Sequence, residues 1–333
     1  MGNTIELKNK PRILCSASIV GEKEAEGPLG QYFDSVMTNG RFGEKSWEKA
    51  ESKMQKQIVS QLLGKSEKLP DDIDLILGGD LLNQCIGTSF GIREFEIPFL
   101  GLYGACSTFC ESMMIAAMTV DGGFAKNVIA LTSSHYASSE RQYRFPLEYG
   151  KQRTPTAQWT VTGSGGVIIS SENGKFAIDY ITPGKIVDMG IKDANYMGAA
   201  MAPAAVDTVF RHFKDRKLDE NYFDLVVTGD LGALGKKIAK EYFSDMGLDF
   251  GNKYIDCGEM IFDIEKQDVH AGGSGCGCIA SVFSSYIYKM MESGKVNRVL
   301  LAATGALLSP TSTNQGESIP GISHAVSIER IEE

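Results

Sequence analysis

Asp74-Leu75-Ile76-Leu77-Gly78-Gly79-Asp80-Leu81 returns later in the chain as Asp224-Leu225-Val226-Val227-Thr228-Gly229-Asp230-Leu231. Each copy is a short aliphatic run that ends in a Gly-Asp-Leu turn. Continuous aliphatic runs of this length read as parallel strands buried on both faces. A helical spacing precedes each copy: Trp47, Ala50, Met54, Ile58 and Leu62 before the first, Val206, Val209, Phe210 and Phe213 before the second.

Further elements recur in the same order. Gly104-Ala105-Cys106-Ser107-Thr108 opens a helical stretch to Met118, followed by the Gly122-Gly123 turn and a strand over 128–132. Gly272-Gly273-Ser274-Gly275-Cys276 opens a second stretch to Met291, followed by a turn at Gly294 and a strand over 299–304. Alternating strands and helices imply parallel sheets crossed by helices. The chain therefore reads as α/β, with two duplicated halves, 1–171 and 172–333, related by a pseudo-twofold. The two glycine-rich helix starts are expected to meet at its centre. The polar segment 133–160 is poor in periodicity and reads as a functional loop or lobe of the first half.

The 333 residues suffice for two ordinary domains or one large two-lobed unit. Hydrophobic residues are 43% and charged residues 23%, a globular composition. The formal net charge of −9 lacks the basic footprint of nucleic-acid binding and fits an anionic membrane surface poorly. No apolar run approaches the roughly 20 residues that span a bilayer, and the first residues lack a signal-peptide core. Cytoplasmic synthesis is expected, with any membrane association peripheral. Seven scattered cysteines argue against a disulfide framework. Cys276-Gly277-Cys278 is too tight for a zinc arm and has no second pair, so no metal is expected.

Cys106 is the sharpest candidate for chemistry. A thiol at a helix start faces free N–H groups and the positive end of the dipole, which favour thiolate. Small neighbours permit a tight turn that exposes the side chain. The competing reading is a small buried hydrophobe.

These strings resemble the thiolase superfamily, which includes thiolases and ketoacyl-carrier-protein synthase III. The resemblance implies a five-layer αβαβα arrangement, with Cys106 where that group keeps its acyl-accepting cysteine, and a homodimer. Longer strings, among them Gly79-Asp80-Leu81-Leu82-Asn83-Gln84, Thr132-Ser133-Ser134-His135, Ala200-Met201-Ala202-Pro203-Ala204-Ala205 and the run from Ala303-Thr304-Gly305 to Ser309-Pro310, are similar to the stage V sporulation protein AD family. That resemblance implies non-enzymatic binding of dipicolinic acid (pyridine-2,6-dicarboxylate), free or as its calcium complex. It also implies uptake of this acid into developing spores, by a complex with other stage V sporulation A proteins at the spore inner membrane.

A condensing enzyme needs more than a nucleophile: it needs neutral donors that stabilise enolate and oxyanion. Where synthase III relatives carry His-Gln-Ala-Asn, this chain has Gly229-Asp230-Leu231-Gly232. An acid replaces a neutral donor only when protonated. Ala303-Thr304-Gly305 holds no cysteine where thiolases carry a second one. His270, in His270-Ala271-Gly272-Gly273, resembles the thiolase Gly-His-Pro string with both flanking residues changed. It lies near Cys106 across the pseudo-twofold, or it is a strand-end histidine without a partner. If the protein were an acyl-thioester-dependent condensing enzyme, Cys106 and His270 would be its catalytic pair.

For a planar dianion, two converging helix starts offer N–H groups and positive potential. Glycines let an anion approach the main chain, and arginine matches a carboxylate. The expected ligand residues are Cys106, His135, Arg144, His270, Gly273, Ser274 and Gly305, with Arg144 preferred over Arg141 and Arg153. Asp80 and Asp230 read as turn residues satisfying local N–H groups. No cofactor is expected.

Overall fold

In the first half of the chain, the five strands of the main sheet path run in the order β1 (Arg12–Val20), β2 (Leu75–Gly79), β3 (Phe99–Gly101), β4 (Asn127–Ser134) and β5 (Gly163–Ser170). Five more follow in the second: β6 (Phe176–Thr182), β7 (Leu225–Thr228), β8 (Tyr254–Asp256), β9 (Arg298–Ala306) and β10 (Gly321–Arg330). The structure, a computed structural model, describes residues 3–143, 153–172 and 174–331.

Across the sheet the first half is ordered β1-β5-β4-β2-β3 and the second β6-β10-β9-β7-β8. The two orders are the same when counted from each half's first strand, which is the duplication seen in the sequence. The halves are not two separate sheets. Arg12 pairs with Ala177 and Ile13 with Phe176, so β1 and β6 join them into one continuous hydrogen-bonded path.

Seven helices place the layers: α1 (Trp47–Ser66), α2 (Ile86–Ile92), α3 (Thr108–Asp121), α4 (Tyr136–Tyr143), α5 (Met197–Arg216), α6 (Gly232–Asp245) and α7 (Cys276–Val282). α1 begins at Ser46, whose hydroxyl accepts from Lys49 N at 3.3 Å, and ends at Glu67 in the left-handed region. Its fully buried stripe, Ala50, Met54, Ile58 and Leu62, covers the outer face of the first half-sheet. Each of the larger members contributes about 1.5–3 kcal/mol by leaving water. α5 does the same for the second half with Val209 and Phe213.

The strands divide their side chains by period two. Leu77, Val128, Ala130, Val167 and Ile169 face a central core with α3 and α7, whereas Ile76, Ile129, Leu131 and Ile168 face α1. In the second half Val227, Leu301, Ala303 and Val326 point to that same central core, and Val226, Leu300, Ala302 and Ala325 to α5. The result is five layers: α1, half-sheet, α3 with α7, half-sheet, α5.

Two local readings change. The second central helix is not regular to Met291: a π-helical stretch, Phe283–Ile287, separates α7 from Tyr288–Glu292. Within 133–160, Ser133 and Ser134 finish β4, α4 follows, and Trp159–Thr160 pairs in parallel with Gly273–Ser274. The described residues of this segment are structured and couple the halves. α4 shows no apolar periodicity because polar Ser139, Glu140 and Gln142 occupy a helix packed over a cavity. No helix among the described residues is long and apolar enough to cross a membrane.

Candidate functional site

Cys106 stands at the end of the turn that leads from β3 into α3. Ala105 before it has φ 52°, a left-handed conformation that costs a residue with a Cβ about 1 kcal/mol or more. Three contacts hold the turn. The Ser107 hydroxyl donates to the Gly104 carbonyl at 2.7 Å, the Thr108 hydroxyl donates to the Ala105 carbonyl at 2.6 Å, and Gly104 N donates back to Thr108 Oγ1 at 3.1 Å. Gly305 of β9 packs against it so closely that a Cβ there would lie 2.5 Å from the Gly104 carbonyl oxygen.

The second helix start arrives opposite. Ser274 Oγ lies 3.9 Å from Cys106 Sγ. Gly275, the N-cap of α7, has φ 109°, which only glycine adopts readily. A cavity of about 70 Å³ opens above the thiol. This exceeds the ~10–15 Å³ that holds one water and falls short of the ~300 Å³ where drug-sized pockets begin. Ala105, Cys106 and Gly275 form its floor; Ser139, Glu140, Thr160 and Ser274 supply polar wall; Leu81, Tyr143, Met197, Ala306 and Leu308 supply apolar wall. The Ser139 hydroxyl has no hydrogen-bond partner among the described residues. Tyr143 is fixed by its own hydroxyl, which donates to the Leu81 carbonyl at 2.6 Å.

The structure brings together Cys106, Ser274 and Gly305 of the expected set, with Gly273 one residue behind Ser274, paired to Trp159. His135 is held elsewhere: its buried Nε2–H donates to the Gly40 carbonyl at 2.7 Å, while Nδ1 accepts from Ala137 N at 3.2 Å. His270 has φ 52° and its Nε2 lies 3.6 Å from Asp268 Oδ1; it does not line the cavity. Among the described residues no histidine does. Arg144 lies outside the described residues. Arg141 pairs with Glu48 and sits over Trp47.

Among the described residues, Arg153 is the arginine that reaches a wall of the cavity, through Glu140. Its Nη1 is 3.6 Å from Glu140 Oε1 and 3.5 Å from the Tyr136 hydroxyl, and its guanidinium covers the stacked Tyr136 and Trp159 rings. Its buried Nε and Nη2, the side-on fork that matches a carboxylate, have no hydrogen-bond partner among the described residues.

Of the two readings of Cys106, its surroundings favour the small buried thiol. Burial pushes the Cys106 thiol well above its ordinary value, and the nearby Asp230 carboxyl pushes it further; Ser274 and the Gly275 N–H act in the opposite sense. Only 8% of Cys106 is exposed, so the helix start does not outweigh lost hydration.

The reading of the two turn aspartates also divides. Asp80 behaves as expected: Oδ1 accepts from Leu82 N at 2.8 Å, and Oδ2 from Thr88 N at 2.7 Å and the Thr88 hydroxyl at 2.6 Å. Asp230 does not. In the second half that duty falls to Asp256, whose carboxylate accepts from Leu231 N, Gly232 N, Glu259 N and the Thr228 hydroxyl. The Asp230 carboxyl is left fully buried, with neither oxygen in a full hydrogen bond among the described residues. No group of His, Cys, Asp or Glu among them is placed to hold a metal ion, and all seven cysteines are free and buried.

Sequence comparison places this geometry among known proteins. The chain is 48% identical over 315 residues to stage V sporulation protein AD of Bacillus subtilis (strain 168), covering 95% of this chain and 93% of that protein. Its fold resembles 3-oxoacyl-[acyl-carrier-protein] synthase III from Aquifex aeolicus, with TM-score 0.59 at 12% identity over 96% of this chain and 99% of that one. It also resembles the Acat5 thiolase from Ascaris suum, solved with coenzyme A, with TM-score 0.60 at 10% identity over 97% and 100%. At such identities the likeness establishes the thiolase-type fold alone. The family profile for stage V sporulation protein AD matches residues 2–329, and the chain belongs to that family.

Proposed function

We propose that the cavity above Cys106 binds dipicolinic acid, free or as its calcium complex, without turning it over. In this reading the protein, as a homodimer, serves uptake of the acid into developing spores, docked on a membrane assembly of other stage V sporulation A proteins at the spore inner membrane. The observation that carries the reading is a small cavity on a buried neutral thiol, with hydroxyl donors and no histidine among its described walls. A planar dicarboxylate needs a slot for its ring and donors for its ends. Leu81, Tyr143, Met197 and Leu308 supply apolar surface, and Ser139, Thr160 and Ser274 supply hydroxyls. The start of α7 contributes positive potential, and Arg153 stands behind Glu140 with a fork that has no hydrogen-bond partner among the described residues.

Calorimetric titration with dipicolinate, at two temperatures and with and without calcium, tests the reading. Saturable heat with a stoichiometry near one site per chain is expected. Absence of heat at both temperatures, at millimolar ligand, overturns it. The fold and Cys106 keep one rival in view, an acyl-thioester condensing enzyme. Incubation with acyl-coenzyme A thioesters of several lengths followed by intact-mass measurement separates the two: an acyl adduct on Cys106 favours the rival, and an unmodified mass favours binding.

A further inference from the structure

We propose that Ser139, backed by Arg153, receives the second carboxylate of a planar dicarboxylate across the cavity from the Cys106–Ser274 floor, and that this contact selects a dicarboxylate over the matching monocarboxylate. The proposal deepens the binding reading and rests on it for the occupant of the cavity.

Ser139 is 2% exposed and lines the cavity, and its hydroxyl has no hydrogen-bond partner among the described residues. A buried serine inside a helix commonly returns its hydroxyl to a carbonyl one turn back. Ser138 does so to His135 at 3.1 Å, Ser281 to Gly277 at 2.7 Å and Ser285 to Ser281 at 2.6 Å. Ser139 makes only the backbone bond of its turn, from its N–H to the His135 carbonyl at 3.0 Å. A buried donor without an acceptor is costly. The open space beside this one is the cavity, so an oxygen brought by the occupant is what completes it.

The charge for a second carboxylate comes from Arg153. Glu140, beside Ser139 on α4, puts a carboxyl on the same wall, where its Oε1 accepts from the Thr160 hydroxyl at 3.2 Å. The Arg153 guanidinium offsets that charge from 3.6 Å. It is held over the stacked Tyr136 and Trp159 rings, 5.9 Å and 5.1 Å from their centroids, with Nη1 toward Glu140 and the Tyr136 hydroxyl. A guanidinium carries donors on more than one edge. Here the Nε–Nη2 edge is buried and has no hydrogen-bond partner among the described residues, so two donor sets on this side, one on α4 and one on Arg153, both lack acceptors. The two ends of the cavity are also tied together. Trp159 and Thr160 pair in parallel with Gly273 and Ser274, so one short ladder spaces the arginine's platform from the floor. A monocarboxylate is served at the floor, by Cys106, Ser274 and the start of α7, and leaves the Ser139 side unmade.

The test is calorimetric titration with two acids on three proteins. The acids are dipicolinate and picolinate, which has the same ring and one carboxylate. The proteins are wild type, Ser139→Ala and Arg153→Ala, with the fold of each variant checked by circular dichroism. Wild type is expected to bind dipicolinate at least about tenfold tighter than picolinate, the worth of one hydrogen bond to a charged group. Ser139→Ala is expected to weaken dipicolinate about tenfold and picolinate less than about twofold, so that the preference closes. Arg153→Ala closes it in the same way. A substitution that merely loosened α4 would weaken both acids alike. Equal wild-type affinities for the two acids overturn the proposal without recourse to any variant. So does a Ser139→Ala protein whose two affinities fall together or stay where they were. Binding of dipicolinate without discrimination removes the proposal and leaves the binding reading standing; no heat with either acid removes both.

Discussion

Replacing Gly275 by alanine perturbs the second helix start where the cavity depends on it. With φ 109° and ψ 151°, an alanine enters a region that costs about 1–3 kcal/mol. Its Cβ also meets Ser134 Oγ at 2.7 Å and Ser134 Cβ at 3.2 Å. That hydroxyl donates to the Val161 carbonyl at 2.7 Å and accepts from Gly277 N at 3.1 Å, so displacing it weakens two bonds worth about 0.5–1.5 kcal/mol each. The sum is about 2–6 kcal/mol. For 333 residues the unfolding entropy is about 0.7 kcal/mol per degree, which converts the loss to about 3–9 °C in Tm. Scanning calorimetry measures it, with Gly123→Ala as control. Gly123 also has positive φ, at 73°, but open space around it, so only the smaller conformational cost applies. A Gly275→Ala protein that melts within about 1 °C of wild type, or no lower than the control, refutes the argued geometry.

Glu24 provides a pH test. Burial raises its carboxyl to about 7, against the pull of the Thr162 N–H that donates to Oε1 at 2.8 Å. A carboxyl raised in the folded state contributes stability that is full below its unfolded value near 4.5 and is lost as pH rises through 7. Glu24→Gln should therefore gain on the order of 3 kcal/mol over wild type at pH 8 and almost nothing at pH 4, read by melts across that range. Arg153→Ala should weaken dipicolinate binding about 10- to 100-fold by calorimetry, the worth of a charge-assisted hydrogen bond. Arg153→Lys should not restore it, since an ammonium lacks the fork. Cys106→Ala should leave Tm nearly unchanged and lower dipicolinate affinity; unchanged affinity would move the ligand away from this cavity.

The architecture was legible because it is repeated and periodic. The aliphatic runs ending at Asp80 and Asp230, the spacing of Ala50, Met54, Ile58 and Leu62, and the paired glycine-rich starts each constrain the chain locally, and the structure follows them. The join of the half-sheets through Arg12 and Ile13 was not legible, since it depends on only two residue pairs. The cavity was partly legible. Cys106 and Ser274 lie at turns whose small residues announce them. Met197, Ala306 and Leu308 converge from distant elements and carry no local mark. Ser139 and Tyr143 follow helical spacing, hidden in a stretch too polar to stand out. The choice between the two readings of the thiol was not legible, because a helix start is a local feature whereas burial is a tertiary one.

The binding reading seats a small dicarboxylate in the hollow above Cys106. A crystal structure of the protein grown with saturating dipicolinate tests it most directly. The pyridine ring is expected in that hollow between Leu81 and Leu308, with one carboxylate within hydrogen-bond distance of the Cys106 sulfur or the Ser274 hydroxyl. An empty hollow with the acid bound elsewhere, or with no acid bound, contradicts it.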